Sequence, residues 1–197
     1  MKKAHEKINM KDPLEVQTNS FILKTMKRVD VTDEYVSWWN DEEIQSKLGS
    51  KPRGWTRVQA VRYIEQFDNR WKFHLGIFDK ITNKLIGFTS ILSNPVTKVT
   101  ISNRVIGDRA FWRTGVSKEL SAWTIPFAFE QLGMEKIKAE IKGQNAASIA
   151  LCEYLGFTRE CVLRSESPAN NGERLDVYVY ALLRGEWQQR KNQLTDQ

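Results

Sequence analysis

Hydrophobic residues along this chain follow two repeating patterns. Seven segments alternate apolar with polar positions or form short apolar runs, which predicts strands. These segments are residues 19–26, 73–78, 85–92, 99–107, 134–141, 157–163 and 175–183. Four further segments, which start near residues 32, 56, 116 and 145, have the apolar spacing or the capping residues of helices. The order of these elements predicts an α/β fold of the α+β type, in which a mixed sheet has helices on both faces.

The helix that starts at residue 145 has both of its ends marked. Asn145 suits the N-cap, where a side-chain oxygen accepts a hydrogen bond from a free backbone N–H. Gly156 suits the position after the last turn, where a left-handed backbone is needed. Phe157 then opens the next predicted strand, so the boundaries of this helix are well defined.

A second marked junction lies where the strand at 99–107 leads into the helix that starts at Val116. Gly107 and Gly115 lie in this turn. A glycine-containing turn before a helix exposes unpaired N–H groups and the positive end of the helix dipole, and both bind phosphate. The chain has neither Gly-x-x-x-x-Gly-Lys nor Gly-x-Gly-x-x-Gly, which excludes the P-loop and the dinucleotide-binding turn. The junction therefore predicts a phosphate site of another kind.

Composition agrees with one globular domain. Hydrophobic residues make up 41% of the 197 residues and charged residues 27%, and no apolar run approaches the ~20 residues that span a bilayer. We expect a folded domain at 19–187, a flexible basic extension at 1–18 and a polar tail at 188–197. The net charge of +6 is scattered among acidic residues outside Met1–Lys11. This distribution favours a polyanionic cofactor over nucleic acid as the partner, with an RNA-binding terminal arm as the alternative.

The chain has too few cysteine and histidine residues to predict a CxxC pair, a metal site or a nucleophilic catalytic site. Cys152 and Cys161 are the only cysteines and do not form a CxxC pair, which predicts reduced thiols and a cytoplasmic protein. His5 and His74 are the only histidines and have no ligand spacing, so we expect no metal. Nucleophilic catalysis by a Ser–His–Asp or Cys–His arrangement is equally difficult to build from them.

Three motifs together resemble those of the Gcn5-related N-acetyltransferase (GNAT) family. They are Asn-x-x-Ser-x-x-x-x-Glu-x-Leu-Gly-Phe from Asn145, Ile-Gly-Asp-x-x-Phe-Trp-x-x-Gly-x-x-x-Glu from Ile106, and Trp-Trp-Asn-Asp from Trp38. The last two resemble the branch with ribosomal-protein, spermidine and amino-sugar acetyltransferases. The resemblance covers roughly residues 20–187. It implies a single domain with a mostly antiparallel, seven-stranded mixed sheet.

The resemblance also implies how acetyl-CoA is held. Backbone groups of Val105, Ile106 and Gly107 should pair with the pantetheine arm as an added strand would. Asn145 should reach the same arm from its helix. N–H groups along one loop should hold the pyrophosphate, namely those of Arg113, Thr114, Gly115, Val116, Ser117 and Lys118. Arg113 and Thr114 stand where relatives commonly have glycine and lysine, so the loop must tolerate a side chain there.

Residues near the first helix are candidates for the acceptor site. The resemblance places Trp39, Asn40 and Asp41 beside a loop that covers the acceptor pocket. An aromatic wall for a sugar or nucleotide is one interpretation of the adjacent Trp38 and Trp39, and core packing of one with incidental exposure of the other is the alternative. Because the two are neighbours on a helix, we expect one of them to point away from the core side of the other.

The sequence indicates catalytic groups less clearly than cofactor-binding groups. Many relatives have a tyrosine directly after the leucine at position 151, whose hydroxyl protonates the departing thiolate, but this chain has Cys152 there. Tyr154 is about 200° further around the helix and is expected to point elsewhere. Asp108 and Glu140 are candidate bases, with solvated surface acids as the alternative. Helix-dipole stabilisation accounts for Glu119 without catalysis.

The sequence therefore predicts an acetyl-CoA-dependent N-acetyltransferase that transfers the acetyl group directly in a ternary complex. An amino sugar or another small amine is the favoured acceptor, and a protein N-terminal or lysine amine is the alternative. A non-catalytic acyl-CoA-binding module remains open because of Cys152. We expect a monomer or a homodimer and no membrane association.

Overall fold

A single twisted sheet forms the centre of the protein. The computed structural model describes residues 13–143, 145–169 and 172–195. In these residues eight strands form one sheet in the order β1-β2-β3-β4-β5-β6-β8-β7. All neighbouring strands are antiparallel except β5 and β6, which are parallel. The strands are β1 Glu15–Gln17, β2 Phe21–Thr25, β3 Lys72–Asp79, β4 Leu85–Asn94, β5 Val99–Ile106, β6 Lys136–Lys142, β7 Thr158–Pro168 and β8 Arg174–Leu183.

Helices cover both faces of this sheet, as predicted. The α-helices are α1 Asp33–Asn40, α2 Glu42–Lys47, α3 Arg57–Ile64, α4 Val116–Pro126, α5 Ala146–Leu155 and α6 Arg184–Thr195. Helices α1 to α3 pack with Phe88 and Val105 on one face. Helix α4 packs with Ile86, Ile91 and Ile106 on the other face, where α5 and α6 also lie. The mixed α/β architecture predicted from the sequence is therefore confirmed.

Capping side chains mark the helix starts where the sequence predicted them. The Thr32 hydroxyl accepts from Tyr35 N at 3.2 Å, and Thr56 forms a reciprocal capping box with Gln59. Asn145 Oδ1 accepts from Ser148 N at 3.1 Å. Each bond satisfies one of the N–H groups that a helix leaves free in its first turn. These local interactions explain why the helix starts could be predicted.

Three elements were not predicted, and each lacks a strong periodic signal. The sheet has eight strands instead of seven because β1, only three residues long, pairs with β2. It lies within the segment 1–18 that we expected to be an extension; residues 1–12, including His5, lie outside the described residues. Helix α2 is a single short element capped by Asp41. Helix α6 occupies part of the expected polar tail at 188–197 and has no apolar stripe.

The expectation for the adjacent tryptophans is wrong, because Trp38 and Trp39 are both buried. Helix α1 lies between the sheet and the segment that leads into α3, so two sides of it are covered. Trp39 stacks on Phe88 at 5.0 Å and on Trp55 at 4.5 Å between ring centroids. Trp38 packs onto Gly107, where a Cβ atom would approach the indole ring to 2.0 Å. Core packing is thus the correct interpretation of both side chains.

Candidate active site

The parallel strands β5 and β6 pair over only three residues and then separate. Val99, Thr100 and Ile101 are aligned with Lys136, Ile137 and Lys138, and no pairing between the two strands follows in the described residues. Beyond that point β5 pairs only with β4 and β6 only with β8. The strands therefore leave a notch in the sheet, which is open at their carboxyl ends.

Backbone direction along β5 decides which groups face this notch. Gly107 N donates to Ile86 O of β4 at 2.9 Å. Ser93 N of β4 donates to Trp71 O, just before β3, at 2.8 Å, so Ser93 turns its backbone away from β5. Because alternate residues of an antiparallel pair turn their backbone groups to opposite sides, Gly107 and Val105 face β4. The groups turned toward the notch are those of Ser102, Arg104 and Ile106. The Ile106 carbonyl already accepts from Trp112 Nε1 at 2.7 Å. Of the three residues predicted to pair with pantetheine, only Ile106 is oriented toward the notch.

A cavity of about 260 Å³ lies in the notch, and side chains from both faces of the sheet line it. On the α4 and α5 side it is lined by Arg104, Ser121, Ile125, Cys152 and other residues of these elements. On the opposite side its lining residues are Lys47, Leu48, Asn103, Lys138, Glu140 and Lys142. The alternation of side chains along β5 and β6 explains this two-sided lining. Two reactants can therefore approach one point from opposite faces of the sheet.

The N-terminus of α4 lies at one edge of the notch and is open. Gly115 occupies the N-cap position with φ +92°, and no side chain caps the helix. The first N–H groups of α4, which start at Val116, therefore remain available to an anion. Arg113 is exposed, has no partner in the described part of the chain, and adopts φ +64°. The left-handed backbone of Arg113 explains why related proteins commonly have glycine at this position. The free N–H groups of α4 and the Arg113 cation fit a diphosphate.

Asn145 lies across the notch from this loop. Its Nδ2 donates to the Lys47 carbonyl at 3.1 Å, while its Oδ1 caps α5. Lys47 Nζ lies 3.5 Å from the centroid of Trp112, on the β5 side of the opening. The end of α2 thus spans the mouth of the notch and narrows it on the α2 face.

The three predicted acceptor-site residues are engaged within the protein, Asn40 and Asp41 by hydrogen bonds and Trp39 by ring stacking, although Trp39 Nε1 has no hydrogen-bond partner in the described residues. Asn40 forms two hydrogen bonds with the Trp55 backbone, from Trp55 N at 2.7 Å and to Trp55 O at 2.9 Å. Asp41 caps α2 and forms an ion pair with Arg109 at 2.8 Å. Hydrogen bonds from the Ile44 backbone and from Arg109 lower the pKa of the Asp41 carboxyl. Trp39 is buried in its ring stack, so these residues hold the α1–α3 region together.

Neither candidate base is a free carboxylate. Asp108 pairs with Lys84 at 2.9 Å, which lowers the pKa of Asp108, and it also accepts from Ala110 N. Glu140 is exposed and pairs with Lys138 at 2.7 Å. Both carboxylates are therefore engaged with a lysine.

Glu119 connects α4 to the turn between β1 and β2. Its carboxylate accepts from Thr18 Oγ1 at 2.5 Å and from Ser20 N at 2.6 Å. Burial by itself raises the pKa of this carboxyl, but the hydrogen bonds from Thr18 and Ser20 outweigh that effect and lower it. Glu119 thus has a structural role in addition to its place in the first turn of α4.

Cys152 lines the cavity, whereas Tyr154 is 57% exposed and is directed elsewhere, as its helical position indicated. Burial raises the pKa of the Cys152 thiol to about 11. Arg104 and Ser102 lie on the same wall and were not singled out from the sequence. The only sequence signal for a functional role is that these two polar residues occupy alternate positions of a strand that also contains valine and isoleucine.

Comparisons with known proteins identify the family and the fold. A family model described as an acetyltransferase (GNAT) domain matches residues 20–158. Relatives include the uncharacterized N-acetyltransferase p20 of Bacillus licheniformis, which is 26% identical over 172 residues (83% of this chain, 94% of the relative). The uncharacterized N-acetyltransferase YoaA of Bacillus subtilis (strain 168) is 27% identical over 177 residues (86% and 96%).

Solved structures share the fold. The spermidine N-acetyltransferase of Vibrio cholerae in complex with CoA and spermine has a TM-score of 0.77 at 19% identity, over 85% of this chain and 98% of that one. In the described residues no helix is long and apolar enough to cross a bilayer. The same residues contain no group of three or more His, Cys, Asp or Glu side chains arranged to hold a metal ion. The chain belongs to the GNAT acetyltransferase family and is an N-acetyltransferase.

Proposed function

We propose that this protein transfers an acetyl group from acetyl-CoA directly to the primary amine of a small molecule within a ternary complex. The observation that carries the proposal is the cavity in the notch, which is lined by side chains of both faces of the sheet. A thioester held on the α4 and α5 side is then accessible to an amine from the α2 side. Direct attack needs both reactants in contact, and side chains of both faces around one cavity support that arrangement.

Four features of the notch fit acetyl-CoA. The uncapped N-terminus of α4 offers N–H groups to the diphosphate, and the exposed Arg113 adds a cation beside them. The notch-facing backbone groups of β5 offer hydrogen bonds to an extended amide chain, as an added strand would receive them. Asn145 lies on the opposite wall of the same cavity. We therefore assign the pantetheine contact to Arg104 and Ile106 in place of Val105 and Gly107.

The chemistry requires a neutral amine and a stabilised oxyanion. The N–H of Ile106 faces the notch and is suited to donate to the tetrahedral oxyanion. Asp108 and Glu140 are each paired with a lysine, so neither is a free carboxylate that could accept the amine proton. We infer that the acceptor loses its proton to water, so transfer accelerates as pH rises toward the pKa of the amine.

A small acceptor fits the opening better than a folded protein does. The end of α2 narrows the mouth through the Asn145 contact to Lys47, and the cavity holds about 260 Å³. The structural neighbour bound to spermine supports a small amine as well. An amino sugar or another small amine remains our favoured acceptor, with a protein N-terminal or lysine amine as the second candidate.

The test is thiol release from acetyl-CoA with a panel of amines at matched concentration. The panel contains an amino sugar, spermidine, an amino acid, a lysine peptide and a peptide with a free N-terminus, and a reaction without amine measures hydrolysis. We expect release above hydrolysis with at least one small amine. Release only with peptides would favour the second candidate. Binding of acetyl-CoA without release for any amine would support a non-catalytic acyl-CoA-binding module.

A further inference from the structure

One wall of the cavity carries unused hydrogen-bonding capacity. Ser102 and Arg104 are alternate residues of β5 and lie on the face that packs against α4. The Ser102 hydroxyl is buried and has no partner among the described residues. Arg104 uses only Nη1, which donates to the Ser117 carbonyl and, at 2.8 Å, to Ser121 Oγ. Its Nε and Nη2 have no partner in the described residues, and both side chains line the cavity.

The charge of Arg104 is also uncompensated. No carboxylate lies within ion-pair distance of it in the described part of the chain. Loss of hydration lowers the pKa of its guanidinium to about 10, so the group stays a cation at neutral pH. Removing a cation from water without a counter-ion is strongly unfavourable. A cation kept in such a position is suited to an anion that is present only during the reaction.

Acetyl transfer provides the phosphates of CoA, the tetrahedral oxyanion and the thiolate that leaves. The Ile106 N–H is the proposed donor to the oxyanion. The diphosphate is already accommodated by the open N-terminus of α4 and by Arg113 at the surface. Arg104 instead contacts the carbonyl side of Ser117, inside a cavity whose other walls include Ile125, Ile137 and Leu155. A singly charged, polarisable thiolate suits this apolar interior better than a strongly hydrated diphosphate.

We propose that Arg104 stabilises the CoA thiolate as it leaves, and that Ser102 donates a second hydrogen bond to it. This inference rests on the proposed function. Cys152 lines the same cavity but is a poor proton donor, because its thiol remains protonated well above neutral pH. Charge stabilisation by Arg104 removes the need for a proton donor at the moment of bond cleavage.

The reaction balances without proton transfer from the protein. The amine nitrogen attacks the thioester carbon, and a C–N bond forms. The amine proton passes to water, the tetrahedral alkoxide collapses, and the C–S bond breaks with its electron pair going to sulfur. The products are the acetamide, a proton in solvent and the CoA thiolate, which hydrogen-bonds to Arg104 until it is released and protonated by water.

The decisive measurement is the pKa of the CoA thiol while it is bound to the wild-type protein. Ultraviolet thiolate absorbance of bound CoA is titrated against pH, and the same protein with desulfo-CoA serves as the reference that cancels Cys152 and Cys161. We expect the bound thiol to titrate at least about one pH unit below that of free CoA, a tenfold change in its ionisation constant. A thiol that binds but titrates at or above its free value would overturn the role of Arg104.

Three variants separate charge from structure. Arg104→Met should abolish the shift, and Arg104→Lys should keep part of it because a cation remains. Ser121→Ala is the matched control, since it removes one partner of Arg104 but leaves the guanidinium charge, and it should retain the lowered thiol pKa. Equal thiol pKa values in wild type and Arg104→Met would refute the proposal. The wild-type titration decides the question even where Arg104→Met fails to fold.

Three other results distinguish failure of this inference from failure of the proposed function. Wild-type protein that binds no CoA would overturn the proposed function itself, and this inference with it. Normal CoA binding with an unshifted thiol would overturn this inference alone. Faster transfer from succinyl-CoA than from acetyl-CoA would assign Arg104 to a carboxylate of the acyl chain and would also overturn it.

Discussion

Replacing Gly115 with glutamate separates the proposed phosphate-binding role of the α4 N-terminus from its structural role. Gly115 has φ +92°, and a Cβ atom added to it would meet no heavy atom within 4 Å. Gly133 offers a matched control, because it has φ +68° and the same open space. A residue with a side chain costs about 1–2 kcal/mol in the left-handed region. We therefore expect Gly115→Glu and Gly133→Glu to lower the free energy of unfolding by similar amounts.

Only Gly115→Glu should affect the cofactor. Its carboxylate would lie beside the N–H groups of the first turn of α4, where the diphosphate is proposed to bind. Two unit charges 4 Å apart interact by roughly 4 kcal/mol at an effective dielectric constant of about 20. Allowing for motion of the side chain and screening by salt, we expect at least about a hundredfold loss of acetyl-CoA affinity, or ~2.7 kcal/mol.

Isothermal titration calorimetry with acetyl-CoA measures the affinity, and urea unfolding measures the stability. Wild-type affinity in Gly115→Glu would refute the phosphate assignment. An equal loss of affinity in both variants would show that general destabilisation is responsible. The phosphate assignment holds only if Gly115→Glu binds acetyl-CoA more weakly than Gly133→Glu does while the two variants have similar free energies of unfolding.

Three further predictions address packing, pH and the notch. Gly107→Ala should lower stability by about 1–3 kcal/mol in thermal unfolding, because the added methyl group overlaps the Trp38 ring. Burial lowers the pKa of His74 to about 3, so below about pH 6.5 the unfolded chain binds a proton that the folded chain does not. The free energy of unfolding should therefore fall as the pH decreases below about 6.5. The fall should be steeper in wild type than in His74→Gln, by about 1.4 kcal/mol per pH unit. Asn145→Ala should lose about 1 kcal/mol of capping, whereas Asn145→Ser should keep the cap and lose only the bond to the Lys47 carbonyl.

Each of these predictions has a control. Gly185→Ala adds a methyl group in open space within α6 and should be neutral or stabilising, unlike Gly107→Ala. Equal pH slopes for wild type and His74→Gln in urea unfolding would show that His74 does not titrate differently in the two states. If Asn145→Ser binds acetyl-CoA as weakly as Asn145→Ala does, the cofactor contact depends on the amide group and not on the helix cap.

The positions of most elements were predictable because their signals are local. Helix α5 is bounded by Asn145 and Gly156, and each acts through hydrogen bonds or backbone angles within a few residues. The same holds for Thr56 at α3 and for the alternation along β3 to β5. Elements without such signals were missed: β1 is only three residues long, and α6 has no apolar stripe. Their presence depends on the sheet edge or surface against which they pack.

Tertiary contacts decided the roles of individual side chains. Asn40 could be seen as part of a motif, but only the fold brings it to the Trp55 backbone. Trp38 and Trp39 are both buried because two layers cover α1, which the periodicity of one helix cannot reveal. The direction of the β5 backbone, and with it the choice of Ile106 over Val105 and Gly107, follows from its register with β4.

The sequence alone predicted the family, the order of most elements and the loop that is proposed to bind phosphate, because caps, turns and alternating patterns act over a few residues. Only the tertiary structure decided that β5 and β6 separate, that side chains of both faces line the cavity, and that Arg104 faces it without a carboxylate. These features depend on groups far apart in the chain. Their burial and electrostatics exist only once the sheet and helices have packed together.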